Sequence, residues 1–237
     1  MSHKNNINEN WKDVWSERNM PDSGDTLNKM LRLDGMDTGF GSVENKDWED
    51  YVNSIIKKCR ITPESQVFEI GCGSGAFLYP MYQQSINVSG LDFSQQLITY
   101  AKSFMPKGNF YQGDATQALS KKYSHIVSSG VFMYFTDLSY AKKVLENCLQ
   151  YTSQYIAILD VPDIAKQAQN ENIRESHYTK GDYQKDYDNL QHLYYSKSWF
   201  TQTLANLGVN NIEIVDQNIN GYKNSEFRFN IFINVSK

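Results

Sequence analysis

The sequence predicts an α/β protein built on a doubly wound, seven-stranded sheet, mostly parallel with an antiparallel C-terminal hairpin strand, and with helices on both faces. Short apolar runs rich in β-branched and aromatic residues alternate with stretches whose apolar residues fall three and four apart, the order that a parallel sheet covered by helices produces. The first run passes directly into the glycine turn GCGSG, as a strand leading into a ligand-binding loop and helix does. The last two runs are separated by only NGYKN, too short for a crossover helix, so those strands must pair antiparallel.

Taken in order, residues 1–50 precede the alternation; Trp11, Val14, Trp15 and Arg18 share one helical face there, and Gly35, Gly39 and Gly41 punctuate the stretch behind that face. The strands are expected over Gln66–Gly71, Ile86–Phe93, Gly108–Ala115, Ser124–Phe132 and Gln154–Pro162, each a short run suited to a buried sheet. Between them GAFLYPMYQQ, SQQLITYAKSFM and LSYAKKVLENCLQYT have helical spacing, and Ser94 is placed to cap the second of these. A polar, tyrosine-rich insert runs from Ile164 to about Tyr195, and the hairpin strands Asn211–Ile219 and Ser225–Val235 close the chain. The expected organisation is an N-terminal segment over 1–50 and a ligand-binding domain over 51–237 with its insert at about 164–195.

Charge and cysteine usage narrow the function. With 23 basic and 27 acidic side chains the formal charge is −4, so no general cationic field attracts a phosphate backbone or an anionic membrane. There is no apolar signal segment and no run of about 18 or more apolar residues. The reading is a cytoplasmic protein with neither nucleic acid nor membrane as partner. Cys59, Cys72 and Cys148 are widely spaced and without CxxC grouping, which argues for reduced thiols rather than a disulfide or zinc framework. Asp160 and Asp163 form at most an incomplete metal pair, and no metal site is expected.

A glycine turn after the first strand lets backbone N–H groups and a helix N-terminus approach a ligand without an intervening side chain. Gly71, Gly73 and Ala76 alone also satisfy the GxGxxG/A dinucleotide pattern. Asp92 ends the second strand, where a carboxylate can accept from both hydroxyls of a ribose, and Asp114 ends the third in GDA. With EIGCGSG, GLDFS, QGDA and VSSGVFMYF in order and the closing hairpin, the chain from about Tyr51 to Lys237 resembles the class I S-adenosylmethionine-dependent methyltransferases. The resemblance implies S-adenosylmethionine as cofactor and S-adenosylhomocysteine as product. Glu69, Gly71, Cys72, Gly73 and Gly75 would surround its methionine part, Asp92 its ribose, Phe93 its adenine face, Asp114 and Ala115 its amino edge, and Ser129 and Gly130 would lie beneath the sulfonium. It also implies that residues 1–50 form a lid; an amphipathic helix docked permanently on the sheet is the alternative.

If the acceptor is a hydroxyl, a base must take its proton near the transition state, whereas an amine can be deprotonated beforehand. His192 and His177 lie in the insert on the ligand edge and are the candidate bases. Tyr194, Tyr195, Tyr222, Asn224 and Arg228 are the candidate acceptor contacts. Neither [DN]PP[YF] nor a Pro-Cys pair follows the fourth strand, which argues against a nucleic-acid substrate. Methyl transfer to a small molecule, at oxygen in preference to nitrogen, is the expected function. An NAD-dependent oxidoreductase and a non-catalytic cofactor-binding protein remain open on the sequence alone.

Overall fold

The computed structural model describes residues 7–36, 42–176 and 190–236. Three helices come first: α1 (Ile7–Ser16), α2 (Thr26–Leu33) and α3 (Asn45–Lys58). The alternating unit comes next as β1 (Gln66–Ile70), α4 (Tyr79–Gln83), β2 (Asn87–Asp92), α5 (Gln95–Phe104), β3 (Asn109–Gln112), β4 (Tyr123–Ser129), α6 (Leu138–Tyr151) and β5 (Thr152–Pro162). Then come α7 (Gln167–Ser176), α8 (Lys197–Asn206), β6 (Ile212–Asp216) and β7 (Arg228–Asn234).

The strands form one seven-stranded sheet in the order β3-β2-β1-β4-β5-β7-β6. Pairings through β5 are parallel, and β7 runs antiparallel between β5 and β6. The period-2 alternation of a strand buried on both faces is visible residue by residue. Val67, Val127, Ala157, Leu159 and Phe232 pack with α2, α3, α4 and α5 on one face. Phe68, Ile126, Ile156, Ile158, Ile231 and Ile233 pack with α6 and α8 on the other.

The predicted strands overrun at their carboxyl ends. β3 stops at Gln112 rather than Ala115, and β4 at Ser129 rather than Phe132, where a 3-10 turn stands at Phe132–Tyr134. These residues leave the ladder to build the loops of the ligand edge; Asp114 turns back to accept from the Thr116 N–H at 2.9 Å. Ser94 caps α5 as its spacing predicts, accepting from the Leu97 N–H at 3.3 Å.

The N-terminal boundary also differs. A division at residue 50 falls inside α3, and α2 buries Leu27, Met30, Leu31 and Leu33. Leu27, Met30 and Leu31 join the core that covers one face of the sheet, so α2 and α3 are parts of the sheet domain rather than of a separate segment.

Candidate functional site

β1 has β2 on one side and β4 on the other, and the chain winds in opposite directions from it. A crevice opens outside the strand carboxyl ends at such a switch point. A cavity of about 600 Å³ occupies it here, within the range of pockets that hold small molecules and cofactors. The loops after β1 to β5 form its floor, while Trp11, Val14, Trp15 and Arg18 from α1 and the turn after it form part of its wall.

Of the residues expected to hold a cofactor, Glu69, Gly71, Cys72, Gly73, Asp92, Phe93, Asp114, Ala115, Ser129 and Gly130 all line this cavity. Gly75 does not. It has φ +93°, and a Cβ there would lie 2.3 Å from Met105 Cε, so it is a glycine because the backbone turns against the core. Cys72 is buried, and burial together with Asp92, Glu69 and Asp34 holds its thiol well above the usual range, which leaves no thiolate for nucleophilic chemistry.

What lies against the glycine turn is partly the chain itself. Asp34, just past α2, accepts from the Ser74 N–H at 2.6 Å and the Ala76 N–H at 3.0 Å. It stands close enough to Gly73 (φ +53°) that a Cβ there would come 2.4 Å from Asp34 Oδ1. Asp92 binds the other side of the same loop, accepting from the Gly73 N–H at 2.9 Å and from the Ser94 N–H at 2.8 Å. Asp34 has no motif around it in the sequence; only the packing of α2 brings it to a turn 40 residues later.

Asp34, Glu69 and Asp92 thus converge at one end of the cavity. Asp34 keeps open surface only in part, and that surface lines the cavity. Burial pushes its carboxyl up to about 7 against the Ser74 and Ala76 N–H bonds, with repulsion from Asp92 adding to it. Asp92 rises to about 6 through burial, opposed by its N–H bonds. Glu69 is pushed well above the carboxylate range by burial and by both neighbours, and its Oε2 is buried without a hydrogen-bond partner. Asp114 differs: burial raises it, but bonds from Thr116 and from the Tyr140 hydroxyl (2.8 Å) outweigh this and leave it below its usual range.

The opposite end is built by the insert and the hairpin. Tyr222, Asn224 and Arg228 line the cavity there as expected. Tyr194 and Tyr195 do not: Tyr194 donates to Asn170 Oδ1 at 3.0 Å, and Tyr195 donates to the Phe132 carbonyl at 2.9 Å. Both rings are buried, and Tyr195 lies in the core beside α8. From the same irregular stretch, which pairs only through the isolated Asp163–Tyr195 bridge, it is His192 that lines the cavity. His177 lies outside the described residues.

His192 lines the cavity, stacked on Trp11 with ring centroids 5.1 Å apart. Its Nδ1 is 2.8 Å from Arg174 Nη1. A guanidinium can only donate, so Nδ1 accepts and the proton of the neutral ring resides on Nε2. Burial, then Arg174 and Arg228, hold the imidazole well below its ordinary range. The residue expected as a base is instead a neutral donor at Nε2.

Asp160 is the carboxylate that the sequence pattern leaves as half of a metal pair. The β5–β7 register shifts between Ile158 and Val161, and Asp160 sits in that irregularity with φ +58°. A non-glycine residue in this conformation costs roughly 1–2 kcal/mol, and bulges of this kind re-aim side chains beside active sites. Here the carboxylate turns into the cavity, with Oδ2 3.4 Å from where a Cβ on Gly130 would stand. Asp163 instead caps the turn at Ile164–Lys166 through the Ala165 N–H.

Residues 67–154 match the methyltransferase domain family. Over 87 residues, 36% of the chain, the sequence is 30% identical to the dTDP-3-amino-3,4,6-trideoxy-alpha-D-glucopyranose N,N-dimethyltransferase of Streptomyces venezuelae. The match spans 35% of that enzyme's length. The fold is shared with magnesium protoporphyrin IX methyltransferase of Synechocystis PCC 6803, solved with bound SAM: TM-score 0.61 at 13% identity, covering 100% of both chains. DesVI of Streptomyces venezuelae gives 0.60 at 14% identity over 91% of this chain and 100% of its own. The family match begins in β1, runs through the glycine turn and ends in β5, so what the chain shares with the methyltransferase domain family over residues 67–154 is the part of the sheet and the loops that form one wall of the cavity.

Proposed function

We propose that the protein transfers a methyl group from S-adenosylmethionine to a small-molecule acceptor, at oxygen in preference to nitrogen. The observation that carries the cofactor assignment is the convergence of the buried Glu69 and Asp92 with the half-buried Asp34, on which the described groups acting across space are further carboxylates. Buried charges of one sign demand a counter-charge, and S-adenosylmethionine brings both an ammonium and a sulfonium. A dinucleotide brings a pyrophosphate, which needs the N–H groups at the helix entry; Asp34 already takes those of Ser74 and Ala76. The same carboxylates would repel it, which argues against the oxidoreductase.

In this reading Glu69 and Asp34 face the methionine part, Asp92 the ribose, Phe93 the adenine face, and Asp114 with Ala115 its amino edge. The cofactor supplies an activated methyl group on a sulfonium that is its own leaving group. The chain's task is to align the acceptor and keep water out. Trp11 and Trp15 cover the cavity, Tyr134 packs against both with centroids 4.7 and 5.4 Å away, and Asp160 stands beside Gly130. Burial raises the Asp160 carboxyl, which makes its anion a stronger proton acceptor for a hydroxyl. The amino-sugar dimethyltransferase relative supports a second reading, in which Asp160 orients an amine.

Thermal unfolding with S-adenosylmethionine, S-adenosylhomocysteine and NAD tests the cofactor, because a ligand of the native state raises Tm; stabilisation by NAD alone would overturn the assignment. Asp160→Asn then separates the acceptors. For a hydroxyl, kcat should fall about 10²–10⁴-fold, the usual size of general-base assistance. For an amine the loss should fall on KM.

A further inference from the structure

We propose that the methyl acceptor is an anion, a small molecule whose carboxylate or phosphate group is received by Arg228. This rests on the methyl-transfer reading and names the substrate class for it.

Arg228 is the first residue of β7. Because β7 runs antiparallel, its amino end comes to the carboxyl end of β5, opposite Pro162, which places an arginine from late in the chain on the ligand edge. The side chain is 3% exposed and lines the cavity. Its Nε and Nη1 have no hydrogen-bond partner. The nearest carboxylate oxygen is Asp160 Oδ1, 3.6 Å from Nε, beyond hydrogen-bond length and already accepting from Gln217 Nε2 at 2.9 Å. Asp160 thus balances part of the guanidinium charge as an ion pair but accepts no hydrogen bond from it; leaving charged N–H donors buried without an acceptor is costly, so the site is suited to a further acceptor atom.

The surroundings carry the same sign. His192 Nε2 and Trp15 Nε1 are further N–H groups of the cavity wall without a partner. Arg18 and Arg174 line the same region and have partners of their own, yet act together with Arg228 on the Tyr134 ring. The cavity therefore holds both signs: Asp34, Glu69 and Asp92 converge at the glycine turn, Arg174 and Arg228 act on Tyr134 near the buried Asp160, and Arg18 acts on the same ring while donating to the Arg32 carbonyl. That arrangement opposes the chain's net charge of −4. An oxyanion supplies acceptor atoms for the open N–H groups of Arg228, His192 and Trp15, and Asn224 Oδ1, also without a partner there, takes a donor such as the acceptor molecule's hydroxyl or amine.

The test is calorimetry on the full chain saturated with S-adenosylhomocysteine, titrated with inorganic phosphate, with malonate and with glycerol. We expect one or both anions to bind and glycerol not to, with the stronger of the two identifying a phosphate or a carboxylate acceptor. Arg228→Met should weaken the anion at least tenfold while the affinity for S-adenosylhomocysteine holds. Should that variant fail to fold, Asp160→Asn provides the complementary reading: removing the competing carboxylate should tighten the anion severalfold. Absence of anion binding in the loaded wild type, or equal binding by a folded Arg228→Met, overturns the proposal. Failure of S-adenosylhomocysteine itself to bind overturns the cofactor reading, and the proposal with it.

Discussion

Asp92 holds two backbone N–H groups and still presents lone pairs to the cavity, so its removal should be felt twice. Asp92→Ala is expected to weaken S-adenosylhomocysteine binding by about 1.5–3 kcal/mol, the range for a hydrogen bond to a charged acceptor. It should also loosen the glycine turn, because Gly73 N–H and Ser94 N–H lose their acceptor. Calorimetry giving wild-type affinity in a folded variant would falsify the ribose role. Asp92 is legible in the sequence because its type and its place at a strand end are both informative. Asp34 is not, since nothing local distinguishes one carboxylate after a short helix from another. His192 shows the converse: its type and position suggest a base, and a neighbour 18 residues away, Arg174, occupies the nitrogen that would have accepted the proton.

Among the elements, α1 and α2 fall together in the segment expected as a lid, and the structure separates them. α2 buries four large apolar side chains, each worth about 1.5–3 kcal/mol, which together rival the roughly 5–15 kcal/mol that holds a typical domain folded. Among the described side chains of α1, Trp11 is the buried one, and it lines the cavity together with Val14 and Trp15. Deleting residues 1–20 is therefore expected to leave a cooperatively folding protein with sharply reduced turnover, as loss of a water-excluding cover should. Deleting residues 1–36 should abolish the cooperative transition as well. Circular dichroism melts beside a methyl-transfer assay check both; wild-type turnover in the shorter deletion removes the covering role of α1.

For the molecule as a whole, the acidic end of the cavity links stability to pH. Unfolded, Asp34 and Asp92 release their protons near 3.8; folded, they hold them to about 7 and about 6. Below about pH 4 both states are protonated and the contribution vanishes. Between about pH 4 and 7 the folded state binds more protons, so stability falls as pH rises, and the loss is complete above about 7. Glu69 acts in the same sense. His125 and His192, held neutral by burial, oppose it below about 6.5. The quantity to read is thus the difference between wild type and Asp34→Asn, whose Tm should decline less between about pH 5 and 8. A cationic ligand needs the ionised carboxylates, so the Tm increase given by S-adenosylmethionine should be larger at about pH 8 than at about pH 5.5. A pH-independent increase would show that the trio is not its counter-charge.

From the sequence by itself came the alternating strands and helices, the antiparallel ending, the glycine turn and the acidic strand ends, because each depends on spacing within a few residues and on side-chain size. The short, nearly continuous apolar runs of β1, β4 and β5 point to a sheet buried on both faces. What the tertiary structure decided is everything that depends on chains meeting across the sheet: Asp34 on the loop of β1, Asp160 turned inward by a bulge against β7, Arg228 brought to the ligand edge by an antiparallel strand, and Tyr195 turned into the core. Those placements set the charges that line the cavity, and electrostatic energy depends on distance and burial, neither of which is a property of position along a chain.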